Sequence, residues 1–463
     1  MTEMTADFAP FADRMRREGL PRIAIRTFEH YYRQLAAGST GLLPEAEIEP
    51  VDELPDMEAF TPDLTKRGER ALPQTIQLKL NGGLGTGMGL ERAKSLLPVK
   101  NGLTFLDIIA EQALRAGIPL VLMDSYSTRD DTLAALAAYP GLDGRVPLDF
   151  LQHKVPKIVR EDLTPAAWPS APEKEWCPPG HGDLYTALVT SGMLELLLGE
   201  GFRYAFVSNS DNLGAVFDAS LLGFMIERDL SFVAETADRT AADRKGGHLA
   251  RRHDGRLIVR ESAQCPRDDE ASFQDISRHR YFNTNSLWID LAALDDLMAE
   301  RDGILGLPMI RNAKTVDPRD DASTPVYQLE TAMSATIEVF RDAGAVRVPR
   351  SRFAPIKTTN DLLDVRSDNY VLTDDFRVVA NPARVLDKAL IDLDGRFYKR
   401  IDDFDARFPH GPPSLLACGR LAIRGDIRFG RDVRLRGEID MINESGAQAA
   451  VPDGTVIEGA WPA

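Results

Sequence analysis

The chain has 463 residues, 43% hydrophobic and 27% charged, which excludes disordered and collagen-like proteins and suffices for one large core with appendages. Its formal net charge of −16 repels nucleic-acid phosphates over the surface as a whole, so an anionic ligand must be held by a few local donors, which points to a small phosphate compound. No run approaches the roughly 18 consecutive apolar residues of a membrane span, the N-terminus lacks a signal-peptide apolar stretch, and Cys177, Cys265 and Cys418 form no C-x-x-C pair; the expectation is a cytoplasmic protein without membrane or nucleic-acid partners.

Residues 1–70 form a helical, loop-rich segment in which Ile25, Phe28, Tyr32 and Leu35 recur at helical spacing before a Pro- and acid-rich stretch over 43–62. From Thr75 the grammar becomes strand, loop, helix, strand. Ile76, Leu78 and Leu80 alternate, glycines follow, Thr104 can cap a helix with Phe105, Ile108 and Ile109 inward, and 119–123 predicts a buried strand. Helical 184–198, strand 204–207, helix 221–226 and strands 231–234 and 287–289 continue the pattern. Together they imply an α/β domain over 71–380, a mixed sheet covered by helices.

The tail, 381–463, differs. Leu415, Leu421, Ile427, Val433, Ile439, Val451 and Ile457 fall on one six-residue lattice that only Ser445 breaks. That period is neither helical nor a simple alternation; it marks coils stacked in a parallel β-helix, whose ends must be covered by the main domain or by another subunit. Homo-oligomerisation through this tail is one of the two expectations. Deletion from about Leu415 is expected to spare the chemical residues, all of which lie between Leu80 and Lys357, yet to change the oligomeric state or lower the stability.

The segment LKLNGGLGTGMG, residues 78–89, follows a strand, and Lys94 comes soon after it. Glycines after a strand let backbone N–H groups approach phosphate oxygens, and a mobile ammonium nearby can reach a triphosphate. The loop is not a P-loop, since no Gly-Lys-Ser/Thr closes it, and its glycines do not fit G-x-G-x-x-G. Further on, His181 stands between two glycines after two prolines, with no Ser or Cys nucleophile in a recognisable motif beside it, so a triad is unsupported. Asp211 follows the 204–207 strand, where a carboxylate can hold Mg²⁺ or simply cap a turn. Lys357 precedes a helix that Thr359 or Asn360 can cap.

These runs, in order, resemble the eukaryotic-type UTP:glucose-1-phosphate uridylyltransferases, also called UDP-glucose pyrophosphorylases. The likeness rests on LKLNGGLGTGMG with Lys94-Ser95, TFLDII at 104–109, PLVLM at 119–123, PPGHGDLY at 178–185, FVSNSDNLGA at 206–215, KGGHL at 245–249, FNTNSLWI at 282–289, NAKT at 312–315, QLETAM at 328–333 and VPRSRFAPIKTTNDLL at 348–363. It implies a nucleotidyltransferase with a glycosyltransferase-A-like sheet, helices on both faces and a left-handed C-terminal β-helix. The implied reaction joins UTP to glucose 1-phosphate, giving UDP-glucose and pyrophosphate, with Mg²⁺ as cofactor.

The resemblance also implies roles. Leu80, Asn81, Gly82 and Gly83 hold the nucleotide, Lys94 its phosphates, and Gln152 faces the uracil. Gly180 and His181 contact ligand near the uridine and sugar phosphate, Asn209 contacts substrate, and Asp211 binds Mg²⁺. Asn283 and Asn285 can meet sugar hydroxyls, Asn285 being preferred, and Lys357 is the residue tied most closely to catalysis. Gly87, the run Glu91-Arg92-Ala93 and the wording over 153–157 depart from the family pattern and bear on affinity and nucleotide discrimination. Two alternatives stay open: a broader UDP-sugar or UDP-N-acetylhexosamine pyrophosphorylase, against which Thr86-Gly87-Met88 lacks the usual Arg, and a non-catalytic UDP-sugar sensor.

Overall fold

A computed structural model describes residues 7–462, so residues 1–6 of the expected N-terminal segment lie outside the described residues. At its centre is a 10-stranded mixed sheet. Strand Tyr204–Asn209 lies parallel to Thr75–Leu80, which is parallel to Leu120–Asp124, which is parallel in turn to Asp149–Leu151. On its other side Tyr204–Asn209 pairs antiparallel with Tyr281–Asp290, and that strand also pairs antiparallel with Phe232–Asp238.

Both faces of the sheet are covered. Ala205, Val207, Leu287 and Ile289 pack with Leu184, Leu188, Leu194 and Leu294, whereas Phe206, Val233 and Trp288 pack with Leu221, Leu222 and Met225. Adjacent side chains of one strand thus enter different layers, as the two-residue pleat requires. The expected alternation at 75–80 is accordingly not one of burial: all six residues are buried, including Gln77 and Lys79. Lys79 donates to Ser208 Oγ (2.6 Å) and Ala215 O (2.8 Å), and burial, aided by nearby Arg352, pulls its amine down to about 7.

Several local expectations agree with the structure. Thr104 and Asp107 form a capping box at the start of helix Phe105–Ala116, which ends on Gly117 in the left-handed region. Helix Arg22–Ala36 buries Ile25, Phe28, Tyr32 and Leu35 against Val155, Ile158 and Leu329 of the main body. The expected helix over 184–198 is two, Asp183–Thr190 and Met193–Gly199, because Gly192 takes φ 75° between them. No helix among the described residues is long and apolar enough to cross a membrane.

In the tail, Leu390–Asp392, Ser414–Arg424, Arg434–Ile442 and Val456–Pro462 pair in that order, all in parallel, and Ile427–Phe429 pairs parallel with Ala449–Val451. The seven lattice residues are all buried, with Leu421 beside Ile439; Ser445, where the lattice breaks, lies in an exposed turn on Asn443 Oδ1. They share one apolar cluster with Met88, Leu97, Val99, Phe105, Ile108 and Leu362, and Gly89 packs on Arg400.

The tail therefore packs on its own chain and on the far end of the glycine loop. Deletion from Leu415 leaves every candidate site residue in the chain but is expected to lower the melting temperature and, by loosening the cluster that holds Met88, to lower activity. A milder form, Leu421→Ala, should cost about 2–5 kcal/mol by cavity formation. Calorimetry and turnover on one sample check both; an unchanged melt in either variant would make the shared cluster irrelevant.

Candidate functional site

The parallel register sets Leu80 beside Asn209, so the segments after these two residues leave the sheet side by side at the carboxyl ends of their strands. Where such strands end, an α/β sheet opens its ligand crevice. From Leu80 runs the glycine loop, closed by Lys94 N–H donating to Gly83 O (3.0 Å); from Asn209 runs the turn carrying Asp211.

Gly82 abuts Gln152: a Cβ there would stand 2.7 Å from the Gln152 carboxamide nitrogen, so a side chain at 82 would push that carboxamide aside. The neighbouring His153, part of the departure from the family pattern, anchors Gln152: its N–H and Nδ1 both meet the Asp183 carboxylate (2.6 and 2.9 Å), and its Nε2 meets Thr190 Oγ1 (3.0 Å). The Asn81 carboxamide turns into the core, donating to Asp124 Oδ1 (2.7 Å) and Thr132 Oγ1 (2.9 Å), and its N–H donates to Met123 O (2.8 Å).

Gly180, at φ 81°, presses on Thr331 so closely that a Cβ would lie 2.4 Å from Thr331 O. This places His181, whose Nδ1 accepts the Met333 N–H (2.9 Å), leaving Nε2 as the protonated donor. Burial holds its pKa down to about 4, so the ring is neutral at pH 7 and suited to donating a hydrogen bond rather than to acid–base work.

Lys94 Nζ and Asp211 Oδ2 are 2.6 Å apart and both partly exposed to the cleft. Among the described residues there is no cluster of three or more His, Cys, Asp or Glu side chains that could hold a metal. A single hard carboxylate still fits Mg²⁺, which keeps waters and takes its remaining oxygens from phosphates.

Lys357 is exposed, forms no ion pair among the described residues, and is joined to the Asp211 turn by Ile356 N–H donating to Asp211 O (3.2 Å). The helix that follows starts at Thr359, and its capping box uses Thr358 with Asp361, not Thr359 or Asn360, whose φ and ψ already belong to the helix. Buried Asn283 donates to Glu261 Oε1 (3.1 Å), Asn285 Oδ1 (3.1 Å) and Ser334 Oγ (2.8 Å), so it is scaffold. Asn285, at φ 56°, is half-buried, with its Oδ1 and its N–H both bonded to Asn283.

Glu261 was not foreseen. Its carboxyl packs on Gly247, and burial raises its pKa against the opposing pull of Asn283 and Lys357, which places the Lys357 charge near it. Nothing in its local sequence marks it, since only the fold brings it to Asn283.

Below the Gly247 edge, His248 and His279 stack at 4.0 Å; both rings are buried, neither nitrogen of His248 has a partner, and His279 Nε2 meets Glu45 Oε1 (2.9 Å). Burial lowers both pKa values below the ordinary 6.5, that of His248 strongly. The unfolded chain thus takes up protons first as pH falls, so stability is retained above pH 6.5 and lost on descending toward the folded values. The melting temperature should fall between pH 7 and 5, and less steeply in His248→Phe, which keeps the stack. Equal slopes in the two proteins would remove His248 from the acid transition.

A glycine loop, two lysines and a carboxylate converging at the carboxyl edge of a mixed sheet define a nucleotide-binding α/β protein. A family model described as UTP--glucose-1-phosphate uridylyltransferase matches residues 25–436. The chain is 41% identical to the enzyme of that name from Solanum tuberosum over 397 residues, 84% of this chain and 81% of the relative, and 39% identical to that of Saccharomyces cerevisiae over 394 residues, 84% and 77%. Among solved structures, a variant UDP-glucose pyrophosphorylase from Leishmania major in complex with UDP-glucose is 43% identical, with a TM-score of 0.92 over 99% of this chain and 100% of that one. A Trypanosoma brucei structure is 44% identical with a TM-score of 0.89, covering 98% and 99%. The chain belongs to the UTP--glucose-1-phosphate uridylyltransferase family.

Proposed function

We propose that this protein transfers the uridylyl group of UTP to glucose 1-phosphate, giving UDP-glucose and pyrophosphate. A phosphate oxygen of the sugar attacks the α-phosphorus in line, and the bond to the bridging oxygen of pyrophosphate breaks. No proton need move, so the enzyme must chiefly neutralise charge and align the two anions. The observation that carries this reading is the register of Leu80 with Asn209, which sets the glycine loop beside Asp211, with Lys357 tied to the same turn through Ile356.

Gln152 over Gly82 would receive the uracil, with backbone groups of Leu80 to Gly83 completing its pairing. His181 would donate from Nε2 near the sugar phosphate, Asn209 would meet substrate, and Asn285 with Glu261 would take sugar hydroxyls. Asp211 would exchange its Lys94 partner for Mg²⁺, freeing that ammonium for a phosphate oxygen. Mg²⁺ held there supplies charge neutralisation at the reacting phosphate. Lys357, on the segment bonded to the Asp211 turn, is the second cation.

The same reading divides the chain at 70/71 and 380/381 and takes the tail as a left-handed β-helix, supported by the buried six-residue lattice and its parallel pairing. A cytoplasmic setting is supported by three free cysteines, two of them buried. A panel of UTP, CTP and ATP against glucose 1-phosphate, galactose 1-phosphate and N-acetylglucosamine 1-phosphate tests the reading. UTP with glucose 1-phosphate should dominate kcat/KM; equal use of the other sugars would favour the broader pyrophosphorylase, and binding of UDP-glucose without turnover would favour a sensor.

A further inference from the structure

The residues before Lys357 run alongside the turn that follows Asp211, and one side chain joins them. Asn212 is buried, 4% exposed. Its Oδ1 accepts the N–H groups of Gly214 (3.1 Å) and Ala354 (2.9 Å), and its Nδ2 donates to Arg352 O (3.2 Å). Backbone pairing adds to this: Asn212 bridges Pro355, and Ile356 N–H reaches Asp211 O.

The far end of this segment is held separately. Arg352 Nε and Nη2 meet the Glu235 carboxylate (2.7 and 2.8 Å), Nη2 also reaches Val216 O (2.8 Å), and Trp288 Nε1 donates to Glu235 Oε1 (2.9 Å). Residues 352–354 are therefore pinned by a buried ion pair and the Asn212 carboxamide, and the chain runs on from there through Pro355 and Ile356 to Lys357. Lys357 itself is exposed on a flexible stem, so the direction of its ammonium depends on where its backbone is held.

We propose that Asn212 is a positioning residue: its carboxamide fixes the 352–354 backbone beside the Asp211 turn, so that the chain leading on to Lys357 sets that ammonium toward the same phosphate as the Asp211 carboxylate. This rests on the roles given above to Asp211 and Lys357. Removing the carboxamide leaves two N–H groups without their acceptor and lets the segment drift, and misplacement by about 1 Å can cost about 100-fold in rate.

The test is a double-mutant cycle of Asn212→Ala and Lys357→Ala, with kcat, both KM values and the melting curve measured for each protein. Asn212→Ala should lower kcat by about 10- to 100-fold with KM changed less than about threefold, and should lower it no further when Lys357 is already Ala. Asn212→Asp can still accept from both N–H groups but sets a carboxylate oxygen against Arg352 O, so its turnover should fall between wild type and Asn212→Ala; should Asn212→Ala fail to fold, this variant carries the cycle, with a smaller but still non-additive effect. Equal losses from the Asn212 change in both backgrounds, or an unchanged kcat in a folded variant, would overturn the proposal. A wild-type kcat in Lys357→Ala alone would instead remove the role of Lys357 on which it rests.

Discussion

Lys357→Ala is expected to lower turnover by about two to three orders of magnitude, the scale of losing one preorganised charge at a developing anion. Two anions must meet at the α-phosphorus, and the cations that the cleft offers are Lys94, already paired with Asp211, and Lys357, which has no ion-pair partner among the described residues. Its stem is exposed and its backbone N–H alone is bonded inward, to Asp361 Oδ2 (3.0 Å), so truncation removes no packing. The fold should survive, and KM for UTP should change little beside kcat. Turnover at the wild-type level with a cooperative melt would take Lys357 out of the reaction.

The second large effect is expected at Asp211. Asp211→Asn should reduce turnover at a fixed, low Mg²⁺ concentration by about 10- to 100-fold and move the Mg²⁺ midpoint upward, because a neutral amide oxygen is a poorer ligand for a hard dication than a carboxylate. Excess Mg²⁺ should restore part of the loss. The change also strips Lys94 of its partner, which leaves that ammonium more available to a phosphate; KM for UTP should therefore rise less than the Mg²⁺ midpoint. Were the midpoint to stay in place, Asp211 would be a partner for Lys94 and not a metal ligand.

What could be read in the sequence was what local rules encode. The six-residue lattice named residues of the tail that are all buried, and Thr104 named its helix start because a capping box is complete within four residues. The same rule failed by one residue near Lys357, where Thr358, Thr359 and Asn360 are all good caps and only the backbone decides among them. The Asn81 side chain answers to Asp124 on the next strand, a pairing that no local pattern shows. Glu261 and Asn212 were illegible for the same reason: each acts across chain segments brought together by the sheet, one with Asn283 and Lys357, the other with Arg352 and Ala354. The place of Met88 in the tail's apolar cluster was hidden likewise.

The most direct measurement follows pyrophosphate and UDP-glucose together in one sample of purified protein given Mg²⁺, UTP and glucose 1-phosphate. Direct attack on the α-phosphorus predicts that the two products form in equal amounts and that UTP alone yields no pyrophosphate, even in a first-turnover burst. Pyrophosphate released from UTP alone in proportion to enzyme would reveal a covalent uridylyl intermediate, and no product from both substrates together would contradict the assignment outright.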